Sequence, residues 1–227
     1  MALRSSAPQE LPKDAIVMDE NEAILHQWTI VRSWPKMTDV WPFRLGIPLL
    51  GLAATIGGLT INEHFRRKLK LHRYGKLSTS FAMGLTPAVI ISAAHCIFVT
   101  HDIYINKSKC LLCLQQRAMT LQVGFGVCYP IMLSPLANFM YSTRHGTYRL
   151  PYWGDYKGTL KLWWRFVKAG KEKFIALILF EAFISAFISY KEKESLLNIQ
   201  LQMFALEAEL LAELKAKKNR NQLEKQN

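Results

Sequence analysis

Four apolar blocks, separated by polar and basic stretches, set the pattern of this chain. The first, FRLGIPLLGLAATIGGLTIN (43–62), has the length that an α-helix needs to cross a hydrocarbon core of about 30 Å. The second, LSTSFAMGLTPAVIISAAHCIFV (77–99), carries Pro87, which predicts a kink. The third, AMTLQVGFGVCYPIMLSPLANFM (118–140), carries Pro130 and Pro135 and should be bent. The fourth, FIALILFEAFISAFISY (174–190), is shorter and has Glu181 at its centre. Ala53 with Gly57, and Ala54 with Gly58, repeat small residues at four-residue spacing, which lets helix backbones approach closely. The pattern predicts an all-α membrane protein: a polar N-terminal region (1–42), a four-helix transmembrane domain (43–190) and an amphipathic helical tail (191–227).

Two stretches outside the blocks also have helical periodicity. In TLKLWWRFVKAG, Leu160, Trp163, Trp164 and Val167 share one face, while Lys161, Arg165 and Lys168 occupy another. Tryptophans opposite basic residues predict a helix lying in the membrane plane. Its surroundings hold further interface anchors: Tyr141, Tyr148, Tyr152, Trp153 and Tyr156. After Gly170 there is no glycine or proline, so the fourth span can run on as one helix into the tail. There Leu196, Ile199, Met203, Leu206 and Leu210 form a heptad seam of about two repeats. A seam that short needs a partner, which can be another protein, the membrane surface or the bundle itself.

Charge then orients the spans. The net charge is +12, but the basic residues lie between the apolar blocks and not on one soluble face. That arrangement argues against nucleic-acid binding and for membrane topology. Residues 63–76 carry six Lys and Arg and residues 141–173 carry eight; residues 100–117 carry three and residues 1–42 carry four, beside six acids. The positive-inside bias places the two basic loops in the cytoplasm or the mitochondrial matrix, with both termini opposite. Arg66, Arg67, Lys68, Lys70 and Arg73, with Trp163 and Trp164, are the candidate contacts to an anionic lipid such as cardiolipin or to an acidic partner. Residues 1–42 lack an apolar core and are rich in acids, so they read neither as a secretory signal nor as a cleavable presequence.

Two features could carry chemistry. INKSKCLLCLQQR (105–117) holds Cys110 and Cys113, with His101 and His95 upstream. A zinc site needs about four ligands, and a thioredoxin-like centre needs an α/β fold that is absent here. A disulfide would form in an oxidising space; otherwise the pair is two small residues at a helix start. Glu181 in mid-membrane can mark an ion path. It can equally be a neutral acid hydrogen-bonded to Ser185 or to another helix. A carrier would need charged groups facing one another across spans, and none is visible in the sequence. No nucleophile–base pair or phosphate loop appears, so neither enzyme activity nor a cofactor is expected.

The order GLAATIGGLTINEHFRRKL (51–69), the CxxC before the third span, GFGVCYPIMLSPLAN (124–138) and FISAFISYKEKESLL (183–197) resembles the transmembrane protein 126 family. The resemblance covers most of residues 15–200. It implies a multi-pass protein of the mitochondrial inner membrane, where the charge bias would put the termini in the intermembrane space and the basic loops in the matrix. It further implies a non-enzymatic factor in the assembly of respiratory complex I, with membrane-arm subunits and other assembly factors as partners. The rivals are a small channel or carrier using Glu181 and a stable accessory subunit of a respiratory complex.

Overall fold

In the computed structural model, residues 18–106, 110–152 and 154–224 are described, and every regular element among them is a helix. In chain order these are α1 (Glu20–Ser33), α2 (Met37–Lys68), α3 (Lys76–Tyr104), α4 (Leu111–His145), α5 (Tyr156–Ala169) and α6 (Lys171–Glu224). Four of them, α2, α3, α4 and α6, are long and apolar enough to cross a membrane. This is the all-α, four-span architecture that the apolar blocks predict. Each helix outruns its block, because hydropathy marks the lipid-facing length and the hydrogen-bonded ladder continues past it.

Two apolar clusters fix the antiparallel order. At one end Val31, Val40, Phe43, Val99, Ile103, Leu114, Leu196 and Ile199 pack together. At the other, Ile61, Phe65, Leu71, Val127, Phe139, Phe166 and Phe174 do the same. The starts of α2 and α4 therefore meet the end of α3 and the tail half of α6, giving an up-down-up-down bundle. We call the first end the terminal end and the second the basic end. α2 is central and packs on α3, α4 and α6.

The prolines are contact points. Pro87 cannot donate to the Met83 carbonyl, and the backbone of Gly58 on α2 lies so close to that oxygen that a Cβ would overlap it. Pro130 likewise cannot donate to the Gly126 carbonyl, which faces Gly57; a Cβ there would stand 2.9 Å from it. A π-helical turn, Gly124–Cys128, precedes Pro130. Pro135 frees the Ile131 carbonyl, and the Trp163 indole N–H of α5 donates to it at 3.1 Å. The small residues read from the sequence are thus matched to carbonyls that prolines expose.

The N-terminal region is not merely polar. Residues 1–17 lie outside the described part, but α1 folds onto the terminal end through Val31, which is 3% exposed. The Asp19 N–H donates to the Glu22 carboxylate at 3.3 Å, opening the helix. Arg44 closes α1. Its Nη2 donates to the carbonyls of Val31, Arg32 and Trp34 at 3.3, 2.8 and 3.3 Å.

Candidate functional site

A buried polar seam runs through the bundle. On α6 the inward face presents Glu181, Ser185, Ser189 and Glu192, all 0% exposed. Gln122 of α4 donates to the Glu181 carboxylate at 2.6 Å and to the Leu50 carbonyl of α2 at 3.1 Å. Glu181 fits because Gly57 and Gly126 leave it room; a Cβ at position 57 would stand 2.8 Å from its Oε1. Its partner is thus on another helix, and Ser185 does not bond to it: the Ser185 hydroxyl is among the buried groups that have no partner within the described residues. About three turns further along α6 from Glu181, His95 of α3 and Glu192 face each other at 3.1 Å, both fully buried. Sequence reasoning missed this pair, because Glu192 sits beyond the apolar block in the charged stretch KEKES. The signal was present: the seam spacing of Leu196 and Ile199, run backwards, reaches Glu192, Ser189 and Ser185 and passes beside Glu181.

A second network continues toward the basic end. Asn62 accepts from Ser134 at 3.1 Å and from Asn138 at 2.9 Å, and donates to Thr79 and Ser80 at 3.3 Å each. From Gly46, beside Glu192, to Arg66 is 20 residues of α2, about 30 Å. Polar groups are therefore buried along the whole hydrocarbon thickness. Such groups pin helix register, because each lost partner leaves a costly orphan in an apolar surround.

The basic turn divides into structural and exposed members. Arg66 is only 2% exposed and donates to the Thr79 hydroxyl and to the carbonyls of His72 and Tyr74 at 3.0, 3.0 and 2.8 Å. It ties the α2–α3 turn and offers nothing to a lipid, which corrects its assignment as a surface contact. Gly75, in the left-handed region at φ 61°, starts α3 with the Tyr141 ring against it. Arg67 is exposed and paired with Glu63 at 2.9 Å. Lys68, Lys70 and Arg73 are exposed.

α5 presents three faces and not two. Leu162 and Phe166 are buried on the bundle, Trp163 and Val167 half-buried, and Leu160 and Trp164 exposed. Trp153 lies outside the described residues. The tail seam also splits. Leu196 and Ile199 belong to the bundle core and Met203 packs against it, whereas Leu206 and Leu210 are 55% and 59% exposed. Half of the expected partner face is occupied by the bundle itself; the other half is open.

The sequence model of the family described as Transmembrane protein 126 matches residues 28–205, from α1 through the packed part of the tail. The chain belongs to the transmembrane protein 126 family. It is similar to Transmembrane protein 126 of Drosophila melanogaster, 34% identical over 209 residues, covering 91% of this chain and 94% of that protein. It is also similar to Transmembrane protein 126A of Rattus norvegicus and of Mus musculus. Each is 27% identical over 110 residues, 48% of this chain and 56% of the relative. No solved structure matches it.

In this transmembrane protein 126 chain the CxxC pair stands at the start of α4. Cys110 and Cys113 are free, exposed thiols, and Cys110 caps the start of α4 by accepting the Cys113 N–H at 3.2 Å. Hydrogen bonds from the Cys113 thiol and then its N–H hold the Cys110 thiol below its ordinary range. His95 is engaged by Glu192, and among the described residues no group of three His, Cys, Asp or Glu stands ready for a metal ion.

Proposed function

We propose that this family member is a non-enzymatic assembly factor of the mitochondrial inner membrane that aids construction of the membrane arm of respiratory complex I. The observation that carries the reading is the free end of α6. Beyond the bundle it bears Leu206, Leu210 and Leu214, each more than half exposed and four residues apart along one face. Such a stripe suits an apolar helix or groove of a partner subunit. The family resemblance supplies the identity of that partner.

Buried Glu181, in line with the His95–Glu192 pair, favours a second reading, a small carrier using Glu181, since titratable groups then stand within the spans. One experiment separates the two. Cells lacking this protein should lose assembled complex I on native gels while other respiratory complexes persist. Re-expression of either the natural chain or Glu181→Gln should restore it, because a glutamine can still accept from Gln122. Normal complex I in the null cells sinks the assembly reading. Failure of Glu181→Gln at normal protein level transfers the case to the carrier.

Orientation is proposed from the charge bias, with the basic end in the matrix. In mitoplasts, protease should remove a tag placed after Asn227 and spare one inserted near Lys157. The reverse pattern would invert the topology.

A further inference from the structure

The start of α4 brings two thiols together on an anchored turn. Cys110 is the N-cap of the helix and Cys113 lies one turn on, both exposed. At that spacing in a helical first turn the Cα atoms stand roughly 5 Å apart, inside the span of about 4.4–6.8 Å that a disulfide bridges. The Cys110 Sγ is turned over the helix start, where it accepts the Cys113 N–H at 3.2 Å and a hydrogen bond from the Cys113 thiol. Side chains just behind the pair hold the turn in place. Leu114 is 1% exposed in the terminal cluster, and Gln115 donates to the Ala186 carbonyl of α6 at 3.3 Å. Arg117 pairs with Asp102 of α3 at 2.6 Å.

This geometry gives the two sulfurs different roles. The hydrogen bonds that end on Cys110 favour its thiolate, and the thiolate is the form that attacks a disulfide. Cys113 is then within bonding reach of the same sulfur. The α/β fold of a thioredoxin-like centre is not needed for such a step, because the helix start itself supplies the donors. The other two cysteines stand apart. Cys96 and Cys128 lie inside the spans, Cys128 about 22 Å further along α4 than Cys113. A water-soluble disulfide therefore meets Cys110 and Cys113 first.

We propose that Cys110 and Cys113 form a reversible thiol–disulfide exchange site, oxidised by a disulfide of the glutathione type, with Cys110 attacking and Cys113 resolving. The Cys110 thiolate attacks one sulfur of the glutathione disulfide. A new S–S bond forms as the old one breaks, and the departing glutathione thiolate takes a proton from water. The Cys113 thiol then gives its proton to solvent and attacks the Cys110 sulfur, closing the Cys110–Cys113 bond and releasing the second glutathione. The pair loses two electrons and two protons, and the glutathione disulfide gains them. Closure also replaces the thiolate that accepts the Cys113 N–H by a neutral sulfur, a weaker acceptor, so the redox state is felt at the cap of α4. The inference depends neither on a role in complex I assembly nor on the orientation of the chain.

The test equilibrates the full chain, purified in detergent, with glutathione buffers of increasing oxidised share, then quenches with acid and digests with trypsin. Lys109 and Arg117 bound a tryptic peptide, CLLCLQQR, that carries both thiols and no other cysteine. In the natural chain this peptide should become lighter by two hydrogens, with no glutathione attached, and excess reduced glutathione should return the dithiol. Cys113→Ser should stop at one glutathione on Cys110. Cys110→Ser should take up glutathione at Cys113 about tenfold more slowly than Cys113→Ser does at Cys110. Serine is a favoured N-cap, so that variant keeps its helix start. A peptide that stays dithiol in fully oxidised glutathione overturns the proposal, as do equal rates in the two variants. A disulfide that reduced glutathione cannot open also overturns it, and assigns the pair to a permanent structural bridge.

Discussion

Gly58→Ala should destabilise this protein by about 3 kcal/mol, near the upper end of what overpacking a core costs. The added methyl would overlap the Met83 carbonyl, which is backbone and cannot rotate away as a side chain could. Pro87 cannot donate to that oxygen, and the α2–α3 contact is closest there, where a methyl does most harm. The neighbouring Gly84 provides the contrast. A Cβ there would meet Leu59 at 3.3 Å and Thr55 at 3.4 Å, both side-chain atoms that can give way. Gly84→Ala should be neutral, helped by the better helix propensity of alanine, worth about 1 kcal/mol. Thermal unfolding of the detergent-purified variants measures both. Equal melting of Gly58→Ala and Gly84→Ala would mean that α2 and α3 do not approach as described.

The second large effect belongs to the buried pair at the terminal end. His95→Leu should cost about 3 kcal/mol, because it leaves Glu192 buried with neither oxygen partnered. Glu192→Gln keeps a hydrogen-bonding group opposite the imidazole and should cost less than about 1 kcal/mol. The double variant His95→Leu/Glu192→Leu removes both polar groups and should recover most of the loss, since apolar replacement of a buried pair is often neutral. Breaking the exposed Arg67–Glu63 pair should be almost silent, at most about 1 kcal/mol. A double-mutant cycle reads all of this from melting curves. If the double variant is as unstable as the sum of the singles, the two side chains do not act as a pair.

Hydropathy made the four spans and the continuation of α6 legible, because burial in lipid imposes a long and simple signal. Periodicity exposed the tail seam and the amphipathic character of α5. It could not say which solvent each face meets, since bundle, lipid and water sort apolar residues alike. Glu192 was missed and Arg66 misread for one reason: a charged residue at the edge of an apolar block looks exposed until the opposing helices are known. The helix α1 had a readable start in Asp19 and Glu22, with Ile24, Trp28 and Val31 at helical spacing behind them. The pairing of Pro87 with Gly58 and of Pro135 with Trp163 had no local signal. It joins residues far apart in the chain, through a backbone oxygen that no residue type reveals.

The continuity of α6 makes span and tail one lever. Its 54 residues extend about 80 Å, of which the last 25, from Ile199 onward, reach roughly 38 Å past the core. No glycine or proline interrupts them, so there is no ready hinge between the part gripped by the bundle and the part that is free. A change in tilt of about 10°, well within what a span adopts as bilayer thickness varies, would carry the tip sideways by about 7 Å. Whatever grips Leu206 and Leu210 is thereby coupled to the inclination of Glu181 within the membrane. The same stiffness works in reverse, so a load on the tip becomes torque on the helix that holds the bundle's buried polar groups in line.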